Sequence, residues 1–354
     1  MAKDRIVIFG WAHSVHVQRW ARGLSDRGYQ IRIVSLGGEP LPDIDTVVLL
    51  RRGKLSYIRQ APAAVRAARD FEPDLVHVHY AGGFGLWGRY CGIRPLVVSV
   101  WGSDLLPHRP KWFYRRLLGS TLKQATHITA TSQWLSKQTG ELYPAATDKM
   151  SVIPFGAQLP DQTKPLPDGP LRICYLKGHR PVYGPDILLE AMVEVRKAIP
   201  DVVLSMAGEG EMTTQLNNMI VRLGLEDTVQ MVGYIERPQV ADFLQVHHFM
   251  VMPSRAESFG LAALEAAACS RAVIASNVGG VPELVVEGVT GLLVPPGNPQ
   301  RLAAAIIELA NNADKQKEMG RAGRDLVKRR YLWGKSLNMM CRLYERLLGG
   351  PAEG

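Results

Sequence analysis

The sequence has few cysteines, no long apolar run and no low-complexity tract, and each absence narrows what the chain can be. Four cysteines (Cys91, Cys174, Cys269 and Cys341) stand in 354 residues, with no C-x-x-C pair and no metal-ligand spacing. That argues against a disulfide framework or a cysteine zinc site and fits a reduced, cytosolic protein. The opening MAKDRIVIFGW holds one lysine and one arginine before a short apolar run. The run is too short for a signal peptide or a membrane span and suits a first buried β-strand. No later stretch reaches the apolar length of a spanning helix. What remains, 46% hydrophobic and 21% charged residues, is the composition of a globular protein. The length suits two α/β domains, each large enough to bury a core without staples.

Acidic residues are scarce in one half only. Met1 to Asp168 carries 22 lysines and arginines against 13 aspartates and glutamates, and the remainder carries 20 of each. The net charge of +9 therefore belongs to the amino-terminal half. A basic half points to an anionic partner, such as a membrane surface, a lipid phosphate or nucleic acid, with a merely solvated basic surface as the plain alternative. The basic residues form no recognisable nucleic-acid module, so no nucleic-acid partner is expected.

Short β-branched runs alternate with amphipathic stretches. The first half predicts strands at Ile6–Gly10, Gln30–Ser35, Leu75–Tyr80, Leu96–Trp101, His127–Thr131 and Ser151–Pro154. A polar, proline-rich break at Gln158–Gly169 reads as a linker. The alternation then restarts with Leu171–Leu176, Val202–Ala207, Val229–Ile235, Phe249–Pro253, Ala272–Ser276 and Gly291–Val294. Strand and helix in repetition imply parallel sheets covered on both faces. The expected fold is α/β, with two Rossmann-like doubly wound domains facing a cleft, at residues 1–168 and 169–330, and a carboxyl-terminal helix over 331–354. Ligands of such sheets bind beyond the carboxyl ends of strands.

The segment from Met252 to Pro299 carries the most chemistry. A strand ends at Met252-Pro253, and Ser258 is placed to cap a helix running to about Cys269. The backbone N–H groups of Phe259, Gly260 and Leu261 then point from a helix start, a ready site for a pyrophosphate. Glu257 precedes that start, and Glu265 lies about 10 Å further along at roughly 1.5 Å per residue. One carboxylate can accept from sugar hydroxyls and the other from ribose hydroxyls. By itself the spacing is weak, and two solvated helix charges would look the same. The downstream Gly279-Gly280-Val281-Pro282-Glu283 and Thr290-Gly291-Leu292-Leu293-Val294-Pro295 add context.

Together these stretches resemble the donor-site signature of family-4 retaining glycosyltransferases, which share the two-Rossmann GT-B architecture. The resemblance covers most of the chain and is strongest from about Leu171 to Asn311. It implies that Glu257 contacts the transferred sugar, that Phe259, Gly260 and Leu261 offer backbone donors to the distal phosphate, and that Glu265 binds the ribose. It sets Gly233-Tyr234-Ile235 beside the base, with Ile235 as a donor contact. Val152-Ile153-Pro154-Phe155-Gly156 resembles the segment closing the first domain. Lys177 fits the first of two phosphate-binding basic positions. The second falls on Val182 or Tyr183, neither basic, leaving Arg180, His179 or Arg255 as substitutes. No D-x-D metal motif is evident, and neither a metal nor a cofactor is expected. Ser270-Arg271-Ala272 departs from the family's glycine and proline after the helix, which is expected to alter only a turn.

The first half is expected to hold the acceptor. Gly10 ends the first strand and is assigned to the donor. His13 and His16 follow it, and His79 ends a later strand; all three are assigned to the acceptor, with strand-end packing as the alternative. His16, Arg19 and Trp20 resemble the family's H-x-x-R-W opening. Alternation puts His77 and His79 on one face. Trp101 stands where many relatives carry a histidine near the reacting centre, which leaves the catalytic set as Glu257, Lys177 and Asp104. Asp104 can alternatively cap the segment after it. Lys111-Trp112-Phe113-Tyr114-Arg115-Arg116 forms the kind of basic aromatic surface that docks on anionic lipid, or else a core-facing helix with a basic edge. The activity implied is metal-independent, retaining transfer of a hexose-type sugar from a UDP- or GDP-linked donor to a glycan or lipid-linked acceptor in polysaccharide biosynthesis. It would act in the cytoplasm, peripheral to the inner membrane face. The rival readings are a sugar-nucleotide epimerase and a non-catalytic nucleotide-sugar-binding partner protein.

Overall fold

The computed structural model describes residues 4–53, 55–105 and 112–349. The chain divides into two compact units, Met1–Phe155 with Gly334–Gly354, and Gly156–Trp333. The first is built on a parallel sheet of β1 (Arg5–Phe9), β2 (Gln30–Leu36), β3 (Asp45–Leu49), β4 (Leu75–His79), β5 (Leu96–Val100), β6 (His127–Ala130) and β7 (Met150–Val152). The second sheet, also parallel, holds β8 (Arg172–Leu176), β9 (Val203–Ala207), β10 (Val229–Gly233), β11 (Phe249–Met252), β12 (Ala272–Ser276) and β13 (Gly291–Val294). Their orders are β3-β2-β1-β4-β5-β6-β7 and β10-β9-β8-β11-β12-β13. Each sheet thus reverses direction once, between β1 and β4 and between β8 and β11. The crevice beyond the carboxyl ends at such a reversal is where doubly wound sheets bind ligands.

The central strands read as they do because both faces are covered. Every side chain of β4, β5 and β12 is buried. β3 is the strand that the sequence reading misses. It is a half-buried edge strand joined to β2 by Arg32 and Asp45, 2.6 Å apart, so it lacks the apolar run of a central strand.

The units part at Phe155 and Gly156 rather than at Asp168. Much of the polar linker is bound into the second unit: Lys164 N–H donates to Gln245 Oε1 at 2.7 Å, and Arg271 donates to the carbonyls of Lys164 and Pro165. Arg271 is therefore more than a turn residue. The last helix, Trp333–Leu347, belongs to the first unit from Gly334 onward. There Tyr344 Oη lies 2.5 Å from Nδ1 of His77, whose Nε2 meets Ser99 Oγ at 2.7 Å. A buried imidazole with both nitrogens satisfied locks this helix to β4 and β5.

Burial pulls the pKa of His77 down to about 3. An unfolded-state histidine titrates near 6.5. The folded state therefore binds the proton less readily, so stability is full above pH 6.5 and falls as pH drops toward the folded value. His77 alone should cost about 2 kcal/mol between pH 6.5 and pH 5, at roughly 1.4 kcal/mol per unit. Denaturant midpoints at pH 7.5 and pH 5 should show a loss of at least this size, and His77→Asn should reduce it without abolishing it, since the neighbouring buried His79 is also held neutral. Parallel losses in both proteins would assign the acid sensitivity elsewhere.

Candidate active site

In the second unit, Lys177 follows β8 and Glu257 follows β11, so the two strands of the reversal each deliver a charged side chain. They meet: Lys177 Nζ donates to Glu257 Oε2, with both side chains mostly buried at 14% and 11% exposure. The ammonium also lies 4.7 Å from the centre of the Tyr183 ring. Burial alone would lower the Lys177 pKa, but Glu257, with Tyr183 and Glu265, outweighs it and holds the pKa above the ordinary lysine value. Glycines fix the loops that carry this pair. A Cβ at Gly208 would lie 2.0 Å from the Lys177 carbonyl oxygen, and one at Gly184 would lie 2.1 Å from that of Pro253. Both residues have positive φ, +131° and +62°, so only glycine allows these approaches without strain.

The helix after β11 is Leu261–Ala268, and Gly260 in left-handed conformation (φ 97°) caps it. Ser258 is not the cap, which corrects the expectation from sequence. Glu257 thus sits in the loop before the helix, and Glu265 is its fifth residue. The first-turn N–H groups have no acceptor within the helix. Phe259 is buried, with its ring edge toward Tyr331 at 6.0 Å, and Gly260 is buried beside it. Leu261 and Ile235 are partly exposed. Glu265 forms an ion pair of 2.8 Å with Arg237. Arg237 lies two residues beyond Ile235, in the loop expected beside the base. Nothing in its sequence spacing marks Arg237, because the loop folds back only in three dimensions.

The substitutes for a second phosphate cation are differently placed. Arg255 grips Asp186 through two hydrogen bonds, of 2.9 and 2.6 Å, and donates to the Pro181 carbonyl. His179 is buried, with Nδ1 3.0 Å from Thr213 Oγ1. Arg180 is exposed at the start of the turn Pro181–Tyr183.

The corresponding rim of the first unit gathers Gly10, His16, His79 and Trp101. Gly10 is in close contact: a Cβ there would meet Val17 at 3.0 Å and His79 Cβ at 3.3 Å. His79 is fully buried, 4.4 Å from the His77 ring and 4.8 Å from Trp101 between ring centres, so His77 and His79 do share a face. Neither His79 ring nitrogen has a hydrogen-bond partner among the described residues. Burial, aided by His77 and His16, holds its pKa well below the ordinary value, so the ring is neutral. His16 stacks on Phe155 at 4.2 Å and Trp101 fills the space beside it at 5.6 Å. His13 is exposed, with its ring 5.2 Å from Trp11. Asp104 is buried and accepts from the N–H groups of Ala81, Trp101 and Gly102 at 2.9, 3.1 and 3.0 Å. Burial raises its pKa, and those hydrogen bonds oppose the rise. Its carboxylate thus ties the loop after β4 to the loop after β5.

One D-x-D tripeptide does exist, Asp43-Ile44-Asp45, away from the donor segment. Asp43 pairs with Arg22 at 2.7 Å and Asp45 with Arg32. Among the described residues no group of three histidines, cysteines or carboxylates is placed to hold a metal ion. No helix among them is long and apolar enough to cross a membrane. Of the basic aromatic stretch, the positions up to Lys111 and the Phe113 side chain lie outside the described residues; Trp112, Arg115 and Arg116 are exposed on the helix Trp112–Gln124.

Two family models match the chain: glycosyl transferases group 1 over residues 160–326, and glycosyl transferase 4-like over residues 5–132. The D-inositol 3-phosphate glycosyltransferase of Paenarthrobacter aurescens is 33% identical over 280 residues, covering 70% of this chain and 67% of the relative. That of Jonesia denitrificans is 27% identical over 387 residues, covering 94% and 90%. The crystal structure of Anabaena HepE in complex with UDP and glucose superposes with a TM-score of 0.83 at 19% identity, covering 98% of this chain and all of that one. With its two doubly wound parallel sheets and a charged pair at the sheet reversal, the chain belongs to the family-4-type glycosyltransferases of the GT-B fold.

Proposed function

We propose that this glycosyltransferase moves a hexose-type sugar from a UDP- or GDP-linked donor to a hydroxyl of a glycan or lipid-linked acceptor, with retention and without a metal. The observation that carries the reading is the Lys177–Glu257 pair at the β8/β11 reversal, beside the glycine-capped helix start. When the C1–phosphate bond breaks, Lys177 and the first-turn N–H groups meet the charge developing on the departing diphosphate. Glu257 then exchanges its lysine contact for hydroxyls of the sugar. Glu265 accepts from the ribose. The acceptor oxygen bonds to C1 on the face the diphosphate leaves, and the departing phosphate oxygen takes the acceptor proton. No side chain has to act as base in this route, which accommodates Trp101. Asp104 acts by positioning the loops after β4 and β5 beside His79.

The Anabaena HepE structure holds UDP and glucose, which makes UDP-glucose the first donor to test. The curated relatives are named for D-inositol 3-phosphate, which makes a phosphorylated cyclitol the first soluble acceptor. Nucleotide release should depend on both donor and acceptor, and the product should keep the donor's anomeric configuration. Turnover of donor with no acceptor and no nucleotide release would support an epimerase, and binding without turnover of any pair would support a partner protein. Arg237→Ala should raise the donor KM about tenfold with little change in kcat, because Glu265 loses the cation that orients it while the reacting centre is untouched. An unchanged KM would remove Arg237 from the site.

A further inference from the structure

Much of the excess positive charge of the amino-terminal half lies in two stretches of the first unit. From Thr46 to Arg69 the chain has six basic residues and no acidic one. From Leu75 to Gly140 it has eight basic residues and a single acidic one, Asp104, which is buried. Of the intervening acids, Glu72 and Asp74 lie at the opposite end of the sheet. There Asp74 accepts from the N–H of Arg5 at the start of β1, and Glu72 pairs with the Arg5 side chain.

These two stretches come together around the helix Gly83–Cys91. Trp87 Nε1 donates to the Tyr57 carbonyl at 2.6 Å, fastening the short helix Ser56–Arg59, and Arg89 donates to Ser120 Oγ at 2.8 Å, fastening Trp112–Gln124. Gly83 lets the Tyr57 ring close in and Gly82 lets Tyr114 do so; a Cβ at either position would overlap them. The start of the central helix is thus flanked by residues neighbouring Leu55, Ile58 and Trp112. These three are 57%, 57% and 71% exposed. Arg51, Arg52, Arg59, Arg115 and Arg116, close to them in sequence, are exposed too. The face is continuous with the loop after β1: Trp11 contacts Tyr57 at 6.0 Å and carries Arg51 over its ring at 4.9 Å.

Exposed large apolar side chains next to exposed arginines, with no exposed acid in the same stretches, match an interface that is apolar below and anionic above. We infer that this face of the first unit docks on an anionic lipid bilayer, with Leu55, Ile58 and Trp112 entering the headgroup boundary and the arginines engaging lipid phosphates. Docking there brings the loop after β1 to the bilayer, so that a lipid-linked acceptor can be met without leaving it. The docking itself does not depend on the donor reading, because vesicle binding needs neither donor nor acceptor.

The test is co-sedimentation of the full chain with vesicles of phosphatidylglycerol and phosphatidylcholine, against phosphatidylcholine alone. Binding is expected only with the anionic lipid and should weaken as salt is raised from 0.1 M to 0.5 M. Arg52→Gln with Arg59→Gln should weaken it roughly 25-fold, at about fivefold for each cation removed. Leu55→Ser with Ile58→Ser should weaken it on the same vesicles, with unchanged melting temperatures confirming that both variants fold. Equal binding by wild type and both variants would overturn the inference. So would an absence of vesicle binding, whether or not an RNA oligonucleotide is retained in its place.

Discussion

Glu257→Gln is expected to yield a folded protein whose transfer rate falls at least about a hundredfold, the size of effect seen when one preorganised electrostatic contact is removed from a transition state. The substitution keeps the shape of the side chain and removes its charge. Two consequences follow. The sugar loses its strongest acceptor at the reacting end, and Lys177 keeps its buried place without the carboxylate that raises its pKa. With burial then unopposed by its main partner, the Lys177 pKa should fall below the ordinary value, so residual activity should drop at lower pH than in the wild type as the lysine loses its proton. Glu257→Ala should also cost stability, about 3 kcal/mol, because removing one member of a mostly buried ion pair strands the other. A single-turnover assay across pH 6 to 10 reads the first effect and a denaturant titration the second. Wild-type turnover by Glu257→Gln would remove Glu257 from the reaction.

The second large effect is expected at Arg271, which takes no part in the chemistry. Its guanidinium is 2% exposed and donates to the carbonyls of His247, Gln245, Lys164, Pro165 and Cys269 at 2.7 to 3.2 Å. None of these partners is a carboxylate, and burial lowers the pKa of Arg271 accordingly. Carbonyl dipoles alone hold the charge. Arg271→Leu would leave several buried carbonyls without donors, each costing about 1–3 kcal/mol, partly offset by removing a buried charge. A net loss of about 4 kcal/mol should lower the melting temperature by roughly 10 °C, at about 2–4 °C per kcal/mol for a unit of this size. Arg271→Lys should not restore it, since a single ammonium cannot reach carbonyls on three separate segments. A melting temperature within about 2 °C of wild type for Arg271→Leu would show that the linker is held by other contacts.

Arg271 also shows where sequence reading runs out. The serine and arginine after the helix read as a change of turn, and Ser270 does take a left-handed conformation, φ 56°. Apart from Cys269, the partners of the arginine lie 24 to 107 residues away, so no local pattern announces them. The same limit moved the boundary between the units from Asp168 to Phe155: proline and polar residues mark a linker, but not whether a distant side chain binds it. The central strands were legible because burial on both faces leaves continuous apolar runs, whereas β3, on the edge, leaves none. At the candidate donor site, Glu257, Glu265 and the downstream glycine blocks could be singled out because they lie close together in sequence. Arg237 was not, since its partner Glu265 is 28 residues away. The helix cap was misread because serine is a common cap and a left-handed glycine leaves no side chain to recognise.

The region from the Lys177–Glu257 pair to Glu265 is expected to bind the nucleoside diphosphate of a sugar donor. Isothermal titration of the wild type with UDP and GDP, repeated with Glu265→Ala and Lys177→Ala, tests it most directly. One nucleotide should bind the wild type, Glu265→Ala should weaken it at least about tenfold through loss of the ribose contact, and Lys177→Ala should weaken it through loss of the phosphate contact. Equal affinity in all three proteins would contradict the account and place the nucleotide elsewhere.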